Sequence, residues 1–232
     1  MNTGSGGRDE THLILFLVHR HEGRSQVILR LAFFITEGVE AAMFSVGEID
    51  VKGLRQFENM LGALGAEAPK AVNRAINRTG DMAKTQVVKE LARQTGLPQK
   101  LIRRSVKVTR SSWTHLEYQL HSAGGDVSLK YFKKRETDEG VRAYLGDQRG
   151  WDWFAESFFR AGRWPRPRQQ ISWSHGHVFV RVGGRTDLEK VTSGVFIPIE
   201  MVEGATAKAF EDSVTNNLPR RLDHEISRAL GL

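Results

Sequence analysis

The 232-residue chain contains no cysteine, which excludes disulfide cross-links, thiolate nucleophiles and cysteine-ligated zinc. Long apolar runs are missing as well. The two longest near the start, Leu13–Val18 and Val27–Ile35, fall far short of the roughly 20 residues that cross a bilayer, and Arg30 interrupts the second. The order of a signal peptide (basic start, apolar run, small-residue cleavage site) is not found there either. No membrane partner is expected. Phosphate-binding Walker loops, dinucleotide glycine fingerprints and the G-x-S-x-G elbow of serine hydrolases are also absent. No cofactor and no catalytic residue is therefore expected.

What is present is an apolar fraction of 40%, sufficient for a real core in a chain of this length, and a net charge of +7. The charge is uneven. Between Lys70 and Arg110 eleven Lys and Arg face only Asp81 and Glu90, a local excess of nine positive charges. Such a concentration favours acidic partners, either nucleic acid or an acidic protein surface.

Pro69 to Thr95 reads as one helix. Pro69 suits a first helical turn, where its missing N–H costs nothing. Val72, Ile76, Thr79, Ala83, Val87 and Leu91 recur at helical spacing and share one face. Gly96 offers a left-handed stop and Leu97-Pro98 cannot continue the same helix. Gly80, in the middle, reads as a weak point costing about 1 kcal/mol relative to Ala. Lys70, Arg74, Arg78, Lys84, Lys89 and Arg93, continued by Arg103 and Arg104, are the candidate residues for meeting DNA or an acidic partner. A charge run of this kind is more commonly a solvated face.

The remaining chain reads as α+β: a small antiparallel sheet packed with this long basic helix and a C-terminal amphipathic helix. Residues 1–42 differ in character from the rest, and Met43 opens what reads as a fresh domain. Residues 1–42 are expected to be a dispensable extension, or upstream sequence included by a mistaken assignment of the start where Met43 is the true initiator, with a loosely packed N-terminal arm as the alternative; 43–232 is expected to be one domain. Phe44–Val51 reads as an edge strand and Gly53–Leu64 as a short helix. Pro98–Ser105 adds a helical turn or two. The apolar period then becomes two at Val106–Thr109 and Leu116–Leu120. Gly124-Gly125-Asp126 reads as a turn, with strands at Val127–Phe132, Val141–Leu145 and Ile171–Val182. Val195–Ile199 reads as a short strand that Pro198 confines to an edge. In the last segment Phe210, Val214, Leu218, Leu222, Ile226 and Leu230 fall at strict steps of four, the mark of a core or subunit-interface helix, which Pro219 is expected to kink or restart.

Gly150–Gln170 holds three of the five tryptophans, three phenylalanines and both prolines of the Trp-Pro-Arg-Pro-Arg stretch. It reads as a loop. Phe154, Phe158 and Phe159 are expected to fold back onto the core, whereas Trp164, Arg166 and Arg168 are a candidate docking tip. His175 and His177 would place two imidazoles on one side of a strand, without a third ligand at metal spacing. Asp147, Asp152 and Glu156, near Arg149, resemble a nuclease carboxylate group only loosely, since no Lys or His accompanies them at a fixed spacing.

The order of several weak motifs resembles the phage minor tail protein Z family. Ser128–Leu145 is similar to the segment in which a Phe-bearing strand (Phe132) leads through a basic stretch, Lys133–Thr137, to Gly140-Val141-Arg142-Ala143. Glu156–Phe159, His177–Arg181 and Phe196–Glu200 resemble later family segments. Val51–Leu54, the basic helix and the Gln94–Val106 stretch resemble its N-terminal half. The Trp151–Trp153 and Trp164–Arg168 segments are more aromatic than the family pattern, and residues 1–42 have no counterpart in it. The resemblance implies a virion structural protein of long-tailed, non-contractile phages or a prophage copy of one. It implies action in tail completion or head–tail joining, as a subunit of a homo-oligomeric ring around the DNA path. The implied partners are other tail and neck proteins, further copies of the chain, and phage DNA through non-specific contact; the implied location is the virion tail, assembled in the bacterial cytoplasm. A stand-alone DNA-binding protein using the basic helix and the Trp164–Arg168 loop is the alternative. A phage-encoded metal-dependent nuclease built on Asp147, Asp152 or His177 is the third reading.

Overall fold

A computed structural model describes residues 12–20, 26–35, 62, 64–164, 166, 168–184 and 186–232. Two strands, β1 (His12–Arg20) and β2 (Gln26–Ile35), come first and pair antiparallel, with His12 opposite Ile35 and Arg20 opposite Val27. Both fall within the stretch read as an N-terminal extension. The expected strand at Phe44–Val51 and most of the Gly53–Leu64 helix lie outside the described residues.

The long helix is present as α1 (Ala68–Thr95). Pro69 sits in its first turn, and Gly96 closes it at φ 72°, returning its N–H to the Ala92 carbonyl. Its apolar face is buried as the spacing requires: Val72, Ile76, Thr79, Ala83, Val87 and Leu91 are all inside. A second short helix, α2 (Gln99–Ser105), follows directly after Pro98. Next come β3 (Val106–Thr109) and β4 (Glu117–Ala123), where inward Tyr118 and Leu120 alternate with less buried neighbours. Together they complete a four-stranded antiparallel sheet in the order β1-β2-β4-β3.

Beyond Ala123 the expected pattern departs in five places. Gly124-Gly125-Asp126 is an irregular connection rather than a turn between paired strands. Val127–Phe132 is not a strand: Leu129–Tyr131 forms a 3-10 turn, whose start the Ser128 hydroxyl caps by accepting from the Lys130 N–H. Leu129 and Phe132, three apart, are its buried residues, so a short apolar stretch there obeys period three rather than two. The Gly150–Gln170 loop instead contributes an edge strand. A three-stranded antiparallel sheet runs β5 (Lys134–Glu136), β6 (Gly140–Tyr144), β7 (Trp151–Ala155). Short strands β8 (Arg160–Ala161) and β9 (Gln169–Gln170) then pair with each other.

Ile171–Val182 also breaks: Ser172–Ser174 is a 3-10 turn, His175 is left-handed at φ 47°, and only β10 (Phe179–Arg181) is strand, pairing with β11 (Leu188–Lys190). The expected edge strand at Val195–Ile199 is replaced by a helix, α3 (Ile197–Met201), with Pro198 in its first turn. Ile197 and Met201, four apart, face the core. A proline that argues for an edge strand argues equally for a helix start, and the i, i+4 spacing decides between them. The class is thus α+β as expected, with the strands of the described residues spread over four small antiparallel sheets.

The chain ends in α4 (Gly204–Leu230), one helix that continues through Pro219. Arg74 meets Glu225 at one end of the α1–α4 pair and Gln94 meets Thr206 at the other, so the two helices lie antiparallel over about 30 Å. Phe210, Val214, Leu218, Leu222 and Ile226 form the buried seam of α4 and belong to the same core as the inner face of α1.

Gly80 has the opposite role from the one its propensity suggests. A Cβ at this position would lie 2.5 Å from three atoms of the Tyr118 ring. The missing side chain is what lets β4 press its aromatic ring against the helix. Gly80→Ala therefore gains about 1 kcal/mol of helix propensity but forces the buried ring to move, at a cost of about 1–3 kcal/mol. The expected outcome is a lower thermal midpoint. Differential scanning calorimetry of the two proteins checks this, and a raised midpoint would show that the ring shifts freely.

Candidate functional site

The basic residues of α1 are constrained by geometry before any partner is considered. At about 100° per residue, Lys70, Arg74, Arg78, Lys89 and Arg93 fall within an arc of about 140°, and Lys84 lies about 40° beyond its Lys70 end. Lys84 is accordingly half-buried, whereas Arg78 and Lys89 are exposed. Arg103 and Arg104 sit beyond the Gly96 turn on the separate helix α2. The eight candidates thus form a stripe on α1, one outlier and a second short patch.

Several of these charges are already partnered. Lys70 pairs with Glu67 at 2.8 Å, Arg74 with Glu225 of α4 at 2.7 Å, and Arg93 with both Glu90 and Asp147. Arg103 donates to the Gln99 side chain. Among the described residues Arg78, Lys84, Lys89 and Arg104 make no ion pair. Exposed pairs of this type contribute about 0–1 kcal/mol each and reorganise readily around a stronger ligand. A groove of about 450 Å³ between α1 and α4 is lined by Gln86, Glu90, Lys208, Asp212 and Asn216 among others. Its mixed charge gives no preference for an anion.

Along the Lys70 edge of this stripe α1 carries a polar row that spacing alone did not single out. Asn73, Asn77 and Asp81 recur at steps of four and hold the β3–β4 connection. Asn77 both donates to the Ser111 carbonyl and accepts the Ser111 N–H, while the Ser111 hydroxyl donates to Asn73 Oδ1. Asp81 accepts from the Tyr118 hydroxyl at 3.0 Å and from Arg110 at 2.7 Å. Burial, reinforced by the Asp81 carboxylate, raises the Tyr118 pKa above its ordinary 10.0, with Arg110 opposing. At the α1 C-terminus the Tyr144 hydroxyl donates to Asp147, a bond that raises the tyrosine pKa.

The Trp164–Arg168 loop divides. Trp164 and Arg166 are exposed. Arg168 turns inward and pairs with Glu136 of β5 at 2.9 Å, the two side chains being 14% and 3% exposed, and it also donates to the Arg160 carbonyl. Glu136 accepts the Phe159 N–H as well. Arg168 is thus an anchor that fastens the loop to the three-stranded sheet. Phe154 and Phe159 pack against the core, while Phe158 is half-buried with Arg181 over its ring.

The histidines and carboxylates are placed apart. His175 lies in the turn after the Ser172–Ser174 segment rather than on a strand, and His177 Nδ1 bonds the Ser128 hydroxyl. Burial and the nearby Lys130 lower the His177 pKa below 6.5. Asp147 is held by Arg93, Asp152 accepts the Trp153 N–H, and Arg149 pairs with Glu200, so these groups serve separate contacts. No group of three metal-ligating side chains is found among the described residues, and no helix among them is long and apolar enough to cross a membrane. All five tryptophans are exposed, from 46% at Trp164 to 64% at Trp113.

Arg168→Ala leaves the Glu136 carboxylate buried without its counter-charge and is expected to cost about 3 kcal/mol. Adding Glu136→Gln should restore part of the loss, because a neutral amide is cheaper to bury. Chemical denaturation of the single and double variants reads both effects; a silent Arg168→Ala would return this residue to the exposed tip. Tyr118 supplies a pH test. In the unfolded chain it ionises near 10.0, whereas the fold retains its proton to higher pH. Stability is therefore undiminished below pH 10 and falls as pH rises past it. Tyr118→Phe should cost about 1 kcal/mol at neutral pH and flatten, without abolishing, the decline above pH 10, as urea denaturation at pH 7 and pH 10.5 would show.

Searches among characterised proteins and solved structures yielded no match. The model of the family described as prophage minor tail protein Z (GPZ) matches residues 51–124, which include α1, α2, β3 and β4, and this match to the family that the sequence resembles points to a structural role in a phage tail.

Proposed function

We propose that this protein completes the phage tail and joins it to the head, acting as a subunit of a ring around the DNA path. The match over residues 51–124 carries this reading. The physical organisation supports it. Two antiparallel helices with a shared core make a rigid body, and the exposed stripe of Lys70, Arg74, Arg78, Lys89 and Arg93 gives one side that tolerates passing phosphates. The pairs that Lys70, Arg74 and Arg93 already make would hold the stripe in place without a strong local attraction, as a channel wall requires. Its partners in this reading are copies of itself and neighbouring tail and neck proteins, within a virion tail assembled in the bacterial cytoplasm. No catalytic step belongs to it.

The stand-alone DNA-binding alternative draws on the unpaired Arg78, Lys89 and Arg104, but loses Arg168 from its proposed loop contact. A free subunit of that kind would bind duplex DNA with a steep salt dependence.

Electron microscopy of particles from an induced lysate lacking the gene tests the main reading. Tails that fail to join heads, or joined particles that do not infect, are the expected result. Normal, infectious particles would overturn it.

A further inference from the structure

The outer face of the β5-β6-β7 sheet carries a surface that neither the family match nor the tail reading assigns. Its inner face is formed by Val141 and Ala143 of β6, with Phe154 of β7 packed against the core. Because side chains alternate along a strand, Arg135, Arg142, Tyr144, Trp151 and Trp153 must emerge on the opposite side. The register aligns them in rows. Arg135 lies opposite Arg142 and Arg142 opposite Trp153, while Tyr144 lies opposite Trp151. Lys133, whose carbonyl accepts the Tyr144 N–H, extends the second row. Lys133, Arg135, Arg142, Trp151 and Trp153 are all exposed, the two tryptophans at 47% and 51%.

This face is unfavourable to the isolated chain. Two guanidinium groups directly opposite one another on neighbouring strands repel, and among the described residues Lys133, Arg135 and Arg142 have no ion pair. By register the acids Glu139 and Glu156 sit past the Gly140 end of the sheet, where their backbones bond to each other. At the other end Asp147 takes the Tyr144 hydroxyl and pairs with Arg93, so among the described residues no carboxylate is paired with Lys133, Arg135 or Arg142. Arg135 lies 5.2 Å from the Trp151 ring centre, and Tyr144 leans against the same ring at 5.8 Å. Trp153 has no ring or cation over it among the described residues. The free edge of β7 does not invite a further strand, since the Asp152 carboxylate accepts the Trp153 N–H at 2.8 Å. The face, not the edge, is the available surface.

We propose that this sheet face binds single-stranded nucleic acid, with phosphates on Arg135, Arg142 and Lys133 and a base stacked on Trp153. Cations interleaved with open aromatic rings are the combination that such strands select. The open ring favours a single strand over a duplex. Bases inside a duplex have both faces covered by their stacked neighbours, whereas an unpaired base offers a free face to Trp153. The inference does not rest on the tail-joining role and survives its failure.

Fluorescence anisotropy with a labelled 20-nucleotide oligothymidine, set against a duplex of equal length and titrated with salt, tests it on the full chain. Trp153→Ala should weaken single-strand binding about tenfold, whereas Trp153→Phe, which keeps a stacking ring, should stay close to the parent. Arg135→Ala/Arg142→Ala should lower the logarithmic salt slope by about 1.4, for two lost phosphate contacts. The double variant relieves a like-charge pair, so its fold is secure even where a tryptophan change disturbs the strand. Absence of binding at low salt would overturn the proposal. So would an unchanged affinity in Trp153→Ala, or a duplex bound as tightly as the single strand with the same response to every variant.

Discussion

Gln94 is the contact on which the arrangement of the molecule depends. Its amide is buried within the last turn of α1 and uses both ends. The Nε2 group donates to the Glu200 carbonyl and carboxylate on α3, and Oε1 accepts the Thr206 N–H and hydroxyl at the start of α4. A single side chain therefore sets where α3 ends and where α4 begins relative to α1. Removing it would strand several buried polar groups at once, each costing about 1–3 kcal/mol. Glu200 passes the link onward through Arg149, which also holds the Gly194 carbonyl.

Beside this amide two backbones come into direct contact. Gly96 closes α1 and Gly146 opens the β6–β7 connection, and a Cβ on Gly146 would lie 2.0 Å from the Gln94 carbonyl oxygen. The Asp147 N–H then bonds the Arg93 carbonyl while its carboxylate pairs with the Arg93 side chain. The three-stranded sheet is thereby mounted on the C-terminal end of the long helix at fixed orientation. Its outer face, with its arginines and tryptophans, and the basic stripe of α1 are two surfaces of one rigid unit.

Long-period features were legible in the sequence and short ones were not. A helix of 28 residues repeats its burial signal many times, so the bounds of α1 and the seam of α4 follow from spacing alone. Val195–Met201 and Val127–Phe132 are only seven and six residues long, too short to separate period two from three or four. Burial of Met201 settles the first, and the local Ser128 cap settles the second. The tip residues Trp164, Arg166 and Arg168 could not be sorted by type, because burial of Arg168 depends on Glu136, 32 positions earlier. The Asn73, Asn77, Asp81 row has helical spacing and could have been found, but such rows ordinarily face water. The outer sheet face is hidden for another reason: its rows assemble across three strands, and the sequence of β7 reads as loop.

The distribution of tryptophan has a practical consequence for anyone following this protein by light. All five indoles already contact solvent in the native state, so their emission is that of a wetted ring before any unfolding begins. Loss of the α1–α4 core would change that signal little, since the fully buried aromatic in contact with α1 is Tyr118. A fluorescence trace will therefore follow events at the surface, whereas backbone circular dichroism will follow the fold. Disagreement between the two probes is built into this chain and is not by itself a sign of a folding intermediate.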